Sequence, residues 1–296
     1  MPKRSLKELF DASLIGFEQD NQNNFSNKLN LLTKFLHTPI KMVRLAFLVI
    51  KCKFQNFYQP HTITTFWGES MNIIIPEKVS LKLYAYGYFE TGLTKMIIEY
   101  LNECDTFIDI GAHYGYFSLL ASTIIGDCGE VHSFEPTPST FEILSSNTRC
   151  KKNININNLA VFSKSCDIWI KDYGVENSAL NSVVLEKNGK NNIIKKRAIT
   201  LDEYVIDKNI QPNFIKIDAE GAEYDILKGA VRVIEVYNPL ITLEMGGPNS
   251  ENCLNFLIIR GYIPYECKKG QIFEHTIKEK YNYDNILLIP KIKSNN

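Results

Sequence analysis

Apolar and polar positions change period along this chain. The blocks at 106–110 (TFIDI), 214–217 (FIKI), 240–243 and 286–289 are mainly apolar without alternation, as strands covered on both faces are, and 131–134 reads as a short strand. Between them, 116–125, 139–150, 222–230 and 251–260 repeat apolar residues every three to four positions, the period of helices packed by one side. Residues 154–161 have strand character. This alternation predicts an α/β domain, a mostly parallel sheet with helices on both faces. Upstream, 71–75 reads as a strand stopped by Pro76, and 91–101 as an apolar-periodic helix. Residues 167–200 are β-like but irregular, which predicts an insertion or hairpin near the site. An Asn-rich stretch at 20–28 reads as loop, and no internal repeat is visible. The division expected is a mostly helical extension, 1–65, and a catalytic domain, 66–296.

Within the extension, PIKMVRLAFLVIKCKF starts at Pro39 and carries Lys41, Arg44, Lys51 and Lys53. It falls short of the roughly 18 apolar residues of a membrane span. Its centre is apolar all round, which predicts a helix docked on the main domain or on a second subunit. The alternative for residues 40–54 is an interfacial helix making weak peripheral contact with an acidic membrane surface.

Composition adds three constraints. At 45% hydrophobic and 22% charged, the chain is ordinary for a globular protein. Its formal net charge of zero gives no support to a nucleic-acid partner. Residues 1–60, however, hold nine Lys/Arg against four acids, so the front is basic and the remainder acidic. Seven scattered cysteines with no C-x-x-C pair read as reduced thiols. With no secretory signal visible, the expected location is the cytoplasm, with the inner membrane face as a peripheral site.

In an open α/β sheet, ligands bind beyond the carboxyl ends of the strands. The first apolar block runs into Asp109-Ile110-Gly111-Ala112-His113-Tyr114-Gly115. Gly111 permits a tight turn, and Gly115 permits close packing at the helix entry. A carboxylate at Asp109 would repel a dinucleotide pyrophosphate and suits a ligand with an ammonium group, such as S-adenosylmethionine. Glu135 follows the second block and is placed to accept hydrogen bonds from ribose hydroxyls. After FIKI come Asp218, Glu220 and Glu223, and after 240–243 comes Glu244. Glu223 is expected in the first helical turn, favoured by the helix dipole. That leaves Asp218, Glu220 and Glu244, with His113, as candidate catalytic groups.

FIDIGAHYGYFSLLAS, VHSFEPTPSTFEIL, NLAVFSK and FIKIDAEGAEYDILKGA, in that order, resemble the FkbM-type methyltransferases. The resemblance implies a class I methyltransferase Rossmann-like fold: seven strands with a reversed last hairpin. It also implies S-adenosylmethionine as methyl donor and O-methylation of a sugar, glycan or other secondary metabolite. By position, Asp109, Gly111 and Gly115 fall on the first cofactor motif, Glu135 on the ribose-binding acid, and Ala160 beside the adenine. Asp218 and Glu220 fall on D-x-E-G, and Glu90 on an acid that helps close the cofactor site. His113 stands where Asn is common.

A hydroxyl acceptor needs a base or a metal to take its proton. Asp218, Glu220 and Glu244 could hold a divalent cation through oxygen, although none is favoured. Two rivals share the glycines and Glu135: an NAD-dependent oxidoreductase and a catalytically silent cofactor-binding module.

Overall fold

Five strands run parallel in the centre of the main sheet: β3 (Thr106–Ile110), β4 (Glu130–Phe134), β5 (Ile154–Asn157), β10 (Phe214–Ile217) and β11 (Leu240–Met245). The computed structural model describes residues 3–14, 39–55, 58–174, 178, 181–184, 192–268, 270–278, 281 and 284–292. The Asn-rich stretch at 20–28 lies outside them. Beyond β11 comes β14 (Asp284–Pro290), which is antiparallel to it, and then β12 (Tyr262–Lys268). These seven strands lie in the order β5-β4-β3-β10-β11-β14-β12, with β14 as the reversed strand. One short strand, β13 (Gln271–Glu274), adds an eighth at the β12 edge. The sequence pattern does not announce it, because its four residues are mostly exposed.

Successive residues of the central strands enter opposite cores, which is why the blocks show no alternation. Phe107, Val131, Phe214 and Leu287 belong to one core, and Ile108, Ile215, Ile241 and Leu288 to the other. The second core is completed by α7 (Leu201–Lys208), α8 (Glu223–Lys228), α9 (Val231–Tyr237) and α10 (Ser250–Ile258). The helix expected at 222–230 is present as α8 and is cut short at Gly229, where a Cβ would sit 2.2 Å from the Phe162 carbonyl oxygen. The expected strand at 154–161 is also divided. Asn158 donates its Nδ2 to the carbonyls of Glu135 and Pro136, at 2.8 and 3.2 Å, and the chain turns there. The next strand, β6 (Ala160–Val161), joins a separate sheet with β7 (Cys166–Lys171), β8 (Ser182–Val184) and β9 (Ile193–Ile199). That sheet is the irregular β-like region of the sequence.

The first core carries the front of the chain. It contains α1 (Lys3–Leu14), α2 (Pro39–Gln55), the hairpin β1 (Gln59–Thr64) with β2 (Ser70–Ile75), α3 (Lys78–Tyr86), α4 (Thr91–Tyr100) and α5 (Tyr116–Ile125). The hairpin straddles residue 65. Leu6, Phe10 and Leu14, spaced along one face of α1, are buried, and Phe10 packs on Phe66 at 5.0 Å and Tyr88 at 5.9 Å between ring centroids. Trp67 then stacks edge-on against Tyr116 of α5. This segment is therefore part of the core. Phe10→Ala is expected to cost about 3–5 kcal/mol, measured by urea unfolding. A loss below about 1 kcal/mol would mean that α1 rests on the surface.

The cysteines depart from the expectation of reduced thiols throughout. Cys104 and Cys128 form a disulfide, with Cα atoms 4.7 Å apart. The two lie in the turns before β3 and β4, neighbouring strands, so the sheet brings together residues that their spacing does not pair. Cys52, Cys150, Cys166, Cys253 and Cys267 are free.

Candidate active site

The strand order reverses between β3 and β10, so their carboxyl ends open onto a crevice. Register places Asp109 of β3 beside Lys216 of β10, on one face of the sheet. Sequence reasoning assigns Lys216 no role. It is 2% exposed, in a strand whose other residues are all apolar. Its ammonium lies 3.1 Å from Asp109 Oδ1, 3.3 Å from Asp218 Oδ2 and 3.1 Å from the Gly111 carbonyl oxygen to which it donates. Burial works against its charge, but Asp109, Asp218 and Glu90 override that and hold the lysine above its usual range.

Asp109 is fully buried, and its Oδ2 accepts from Ser118 Oγ at 2.6 Å. One oxygen is thus turned to Lys216 and the other to Ser118. The residue expected to meet a ligand ammonium therefore has both oxygens engaged within the protein, at the end of the strand that opens onto the crevice. Gly111, at φ +77°, passes so close to β10 that a Cβ would fall 1.7 Å from the Asp218 carbonyl oxygen. Its bareness is required by the crossing of two chain segments. Gly115, at φ +90°, clears Leu144 of α6 (Pro138–Thr148), which a Cβ would approach to 2.7 Å.

At the end of β4, Glu135 is 7% exposed. It accepts from the backbone N–H of Thr137 at 2.9 Å through Oε1, and from that of His113 at 3.1 Å through Oε2. These bonds fix both oxygens and leave each with further acceptor capacity. Burial raises its pKa to about 7, against the pull of those backbone bonds.

His113 is held at φ +50°, stacked on Tyr114 at 3.9 Å, with Nε2 2.9 Å from Ser178 Oγ. Burial lowers its pKa to about 3, which makes it a weak base at neutral pH. Ser178 is another contact that the sequence does not single out. It comes from the insertion between β7 and β8, where no pattern distinguishes it.

Four carboxylates crowd the end of β10. Asp218 follows the strand, Glu220 sits at φ +48°, and Glu244 is on β11, the neighbouring strand. Asp218, Glu220 and Glu244 each offer an oxygen, all within 4.8 Å of one another. Glu90 arrives from the start of α4, 128 positions before Asp218, and accepts from Asn285 Nδ2 at 3.2 Å. Burial and the charge of Asp218 raise Glu90 to about 7 and Glu220 to about 7. The same causes push Glu244 well above neutrality. Glu223 opens α8 and accepts from the N–H groups of Ala219 and Gly221, at 3.0 and 3.1 Å, so it shapes the loop. Ala160 lies buried in β6, two residues beyond Asn158, whose side chain grips the Glu135 strand end.

The site thus has an acceptor-rich corner at Glu135 and an excess of negative charge around Asp218. That combination suits a ligand with vicinal hydroxyls and positive charge. The three clustered carboxylates also have the donor set of a hard cation.

Among known proteins, the profile of the Methyltransferase FkbM domain matches residues 109–276, from Asp109 to beyond β13. The hexuronic acid methyltransferase AglP of Haloferax volcanii is 28% identical over 170 residues, covering 57% of this chain and 67% of that protein. Among solved structures, a methyltransferase FkbM from Methylobacillus flagellatus matches at 15% identity and TM-score 0.42, over 70% of this chain. The chain spans about half of that protein, 52% of its length. An S-adenosylmethionine-dependent O-methyltransferase from Thermotoga maritima matches at 11% identity and TM-score 0.39, over 78% of this chain and 77% of its own.

Proposed function

The chain belongs to the FkbM methyltransferase family, and from that premise we propose that it transfers the methyl group of S-adenosylmethionine to a hydroxyl of a sugar or glycan. The observation that carries the reading is the convergence of Glu135 with Glu90, Asp218, Glu220 and Glu244 on one sheet mouth. Glu135 would receive the ribose hydroxyls. Glu90 would face the ammonium of the donor, and the sulfonium would point toward the carboxylates around Asp218, whose charge Lys216 offsets only in part. The likeness to AglP supports a sugar as acceptor. The family match favours a methyl donor over the nicotinamide alternative that the glycines and Glu135 left open.

The donor supplies a methyl carbon that an acceptor oxygen attacks while the sulfur leaves as a neutral thioether. The residues have the remaining tasks. Lys216 keeps Asp109 and Asp218 at fixed separation, so the floor does not move as positive charge disappears above it. Glu220, raised to about 7, matches the working range of a general base and would take the hydroxyl proton. Glu244, protonated at neutral pH, would donate to an acceptor oxygen.

Asp218→Asn and Glu220→Gln are expected to bind donor within a few-fold of wild type and to transfer methyl about a hundred- to ten-thousand-fold more slowly. Calorimetric titration and single-turnover transfer separate the two. If both variants fold and fail to bind donor, the acceptor-side assignment is wrong.

Donor affinity is expected to rise with pH between about 6 and 7.5. Glu135 and Glu90 both have values of about 7, above the ordinary carboxylate range. Each is protonated below that value, and protonation removes the charge that would hold a cationic ligand. Titration across the range checks the sign, and an affinity that falls as pH rises would contradict it.

Should a divalent cation take part, Asp218, Glu220 and Glu244 would hold it. We propose that transfer proceeds without one, with Glu220 taking the hydroxyl proton directly. Activity is expected to survive EDTA undiminished. Loss restored by magnesium would reassign these three residues as metal ligands.

A further inference from the structure

The helix α2 has two apolar faces, and among the described residues only one of them is covered. Met42, Leu45 and Cys52 are buried against the first core, next to α3 and β2. On the opposite side Ile40, Val43, Phe47, Ile50 and Phe54 stand out, 55–92% exposed. At 100° per residue these five fall within an arc of about 80°, a continuous stripe along the helix. Arg44 and Lys51 border it on one shoulder and Lys53 on the other, all exposed. No acidic residue occurs between Pro39 and Gln55.

We infer that this outer face is a docking surface for an anionic lipid bilayer, on which α2 lies in the plane of the interface. The inference does not depend on the methyl-transfer reading. A protein rarely leaves a stripe of large apolar residues in water without a partner. The spacing of the stripe, 3-4-3-4, is also that of a coiled-coil seam, so a second copy of the chain is the main rival. Charge decides between them. With the stripe as seam, the flanking positions are Arg44, Ala46, Lys51 and Lys53. A parallel or an antiparallel pair would set these bases against one another, with no acid on either helix to pair them. Anionic headgroups meet the same bases with opposite charge, while Phe47 and Phe54 reach the acyl boundary. No helix among the described residues is long and apolar enough to cross a membrane, so α2 would lie on the bilayer rather than span it.

The test is flotation of the full chain with phosphatidylcholine vesicles, with and without phosphatidylglycerol. Binding to the anionic vesicles is expected at low salt, with a sharp loss at high salt and little binding to neutral vesicles. Phe47→Ser with Phe54→Ser should weaken binding about tenfold or more. Lys51→Gln with Lys53→Gln should weaken it about fivefold for each base removed. Neither double variant should shift the melting midpoint, since all four side chains are exposed. Failure to float with anionic vesicles would overturn the inference, as would equal flotation with neutral ones. A dimer in sedimentation equilibrium that the Phe47/Phe54 variant splits, with vesicle binding unchanged, would assign the stripe to a second copy.

Discussion

Lys216→Met is expected to destabilise the protein by about 3–5 kcal/mol, the cost of breaking a buried ion pair by removing one partner. The ammonium lies between Asp109, which is fully buried, and Asp218. Methionine fills the volume but leaves two carboxylates facing each other across the floor of the crevice. Ser118 still donates to one oxygen of Asp109 but cannot neutralise it. Urea unfolding at neutral pH measures the loss. The double variant Asp109→Asn with Lys216→Met should recover at least half of it, because replacing both partners removes the stranded charge. A single variant within about 1 kcal/mol of wild type would show that Lys216 does not hold the floor together.

Glu135→Ala is expected to weaken S-adenosylmethionine binding about a hundredfold. Two charge-assisted hydrogen bonds to the ribose are worth about 3 kcal/mol together. Glu135→Gln should lie between, since the amide keeps one acceptor oxygen. Both substitutions also disturb the bonds to His113 and Thr137. The comparison therefore belongs at a temperature where unfolding shows each variant intact. Equal affinity of wild type and the alanine variant would remove Glu135 from the donor site.

How much is visible in the sequence depends on whether local pattern or long-range pairing sets each feature. The central strands are legible because burial on both faces makes FIDI and FIKI apolar at every position but one. The acids after those runs are legible because topology puts strand ends at the crevice. Pairing is not. Asp109 reads as a ligand contact, yet the lysine that neutralises it lies 107 positions later on an adjacent strand. A lone lysine in an apolar block does not announce its partner. Glu90 enters only through a family resemblance, since nothing in Tyr88-Phe89-Glu90 tells that it reaches Asp218. The Cys104–Cys128 disulfide depends on two turns at the same end of β3 and β4, which spacing alone does not encode. At α2 the sequence shows an apolar helix, but only the fold tells which side is covered.

The most direct test of the central claim is a crystal structure of the full chain with S-adenosylhomocysteine bound. Both ribose hydroxyls are expected on Glu135, with the thioether sulfur turned toward Asp218, Glu220 and Glu244 at the mouth of β10. A nucleoside lodged elsewhere, or a sulfur turned away from those three carboxylates, would contradict the assignment.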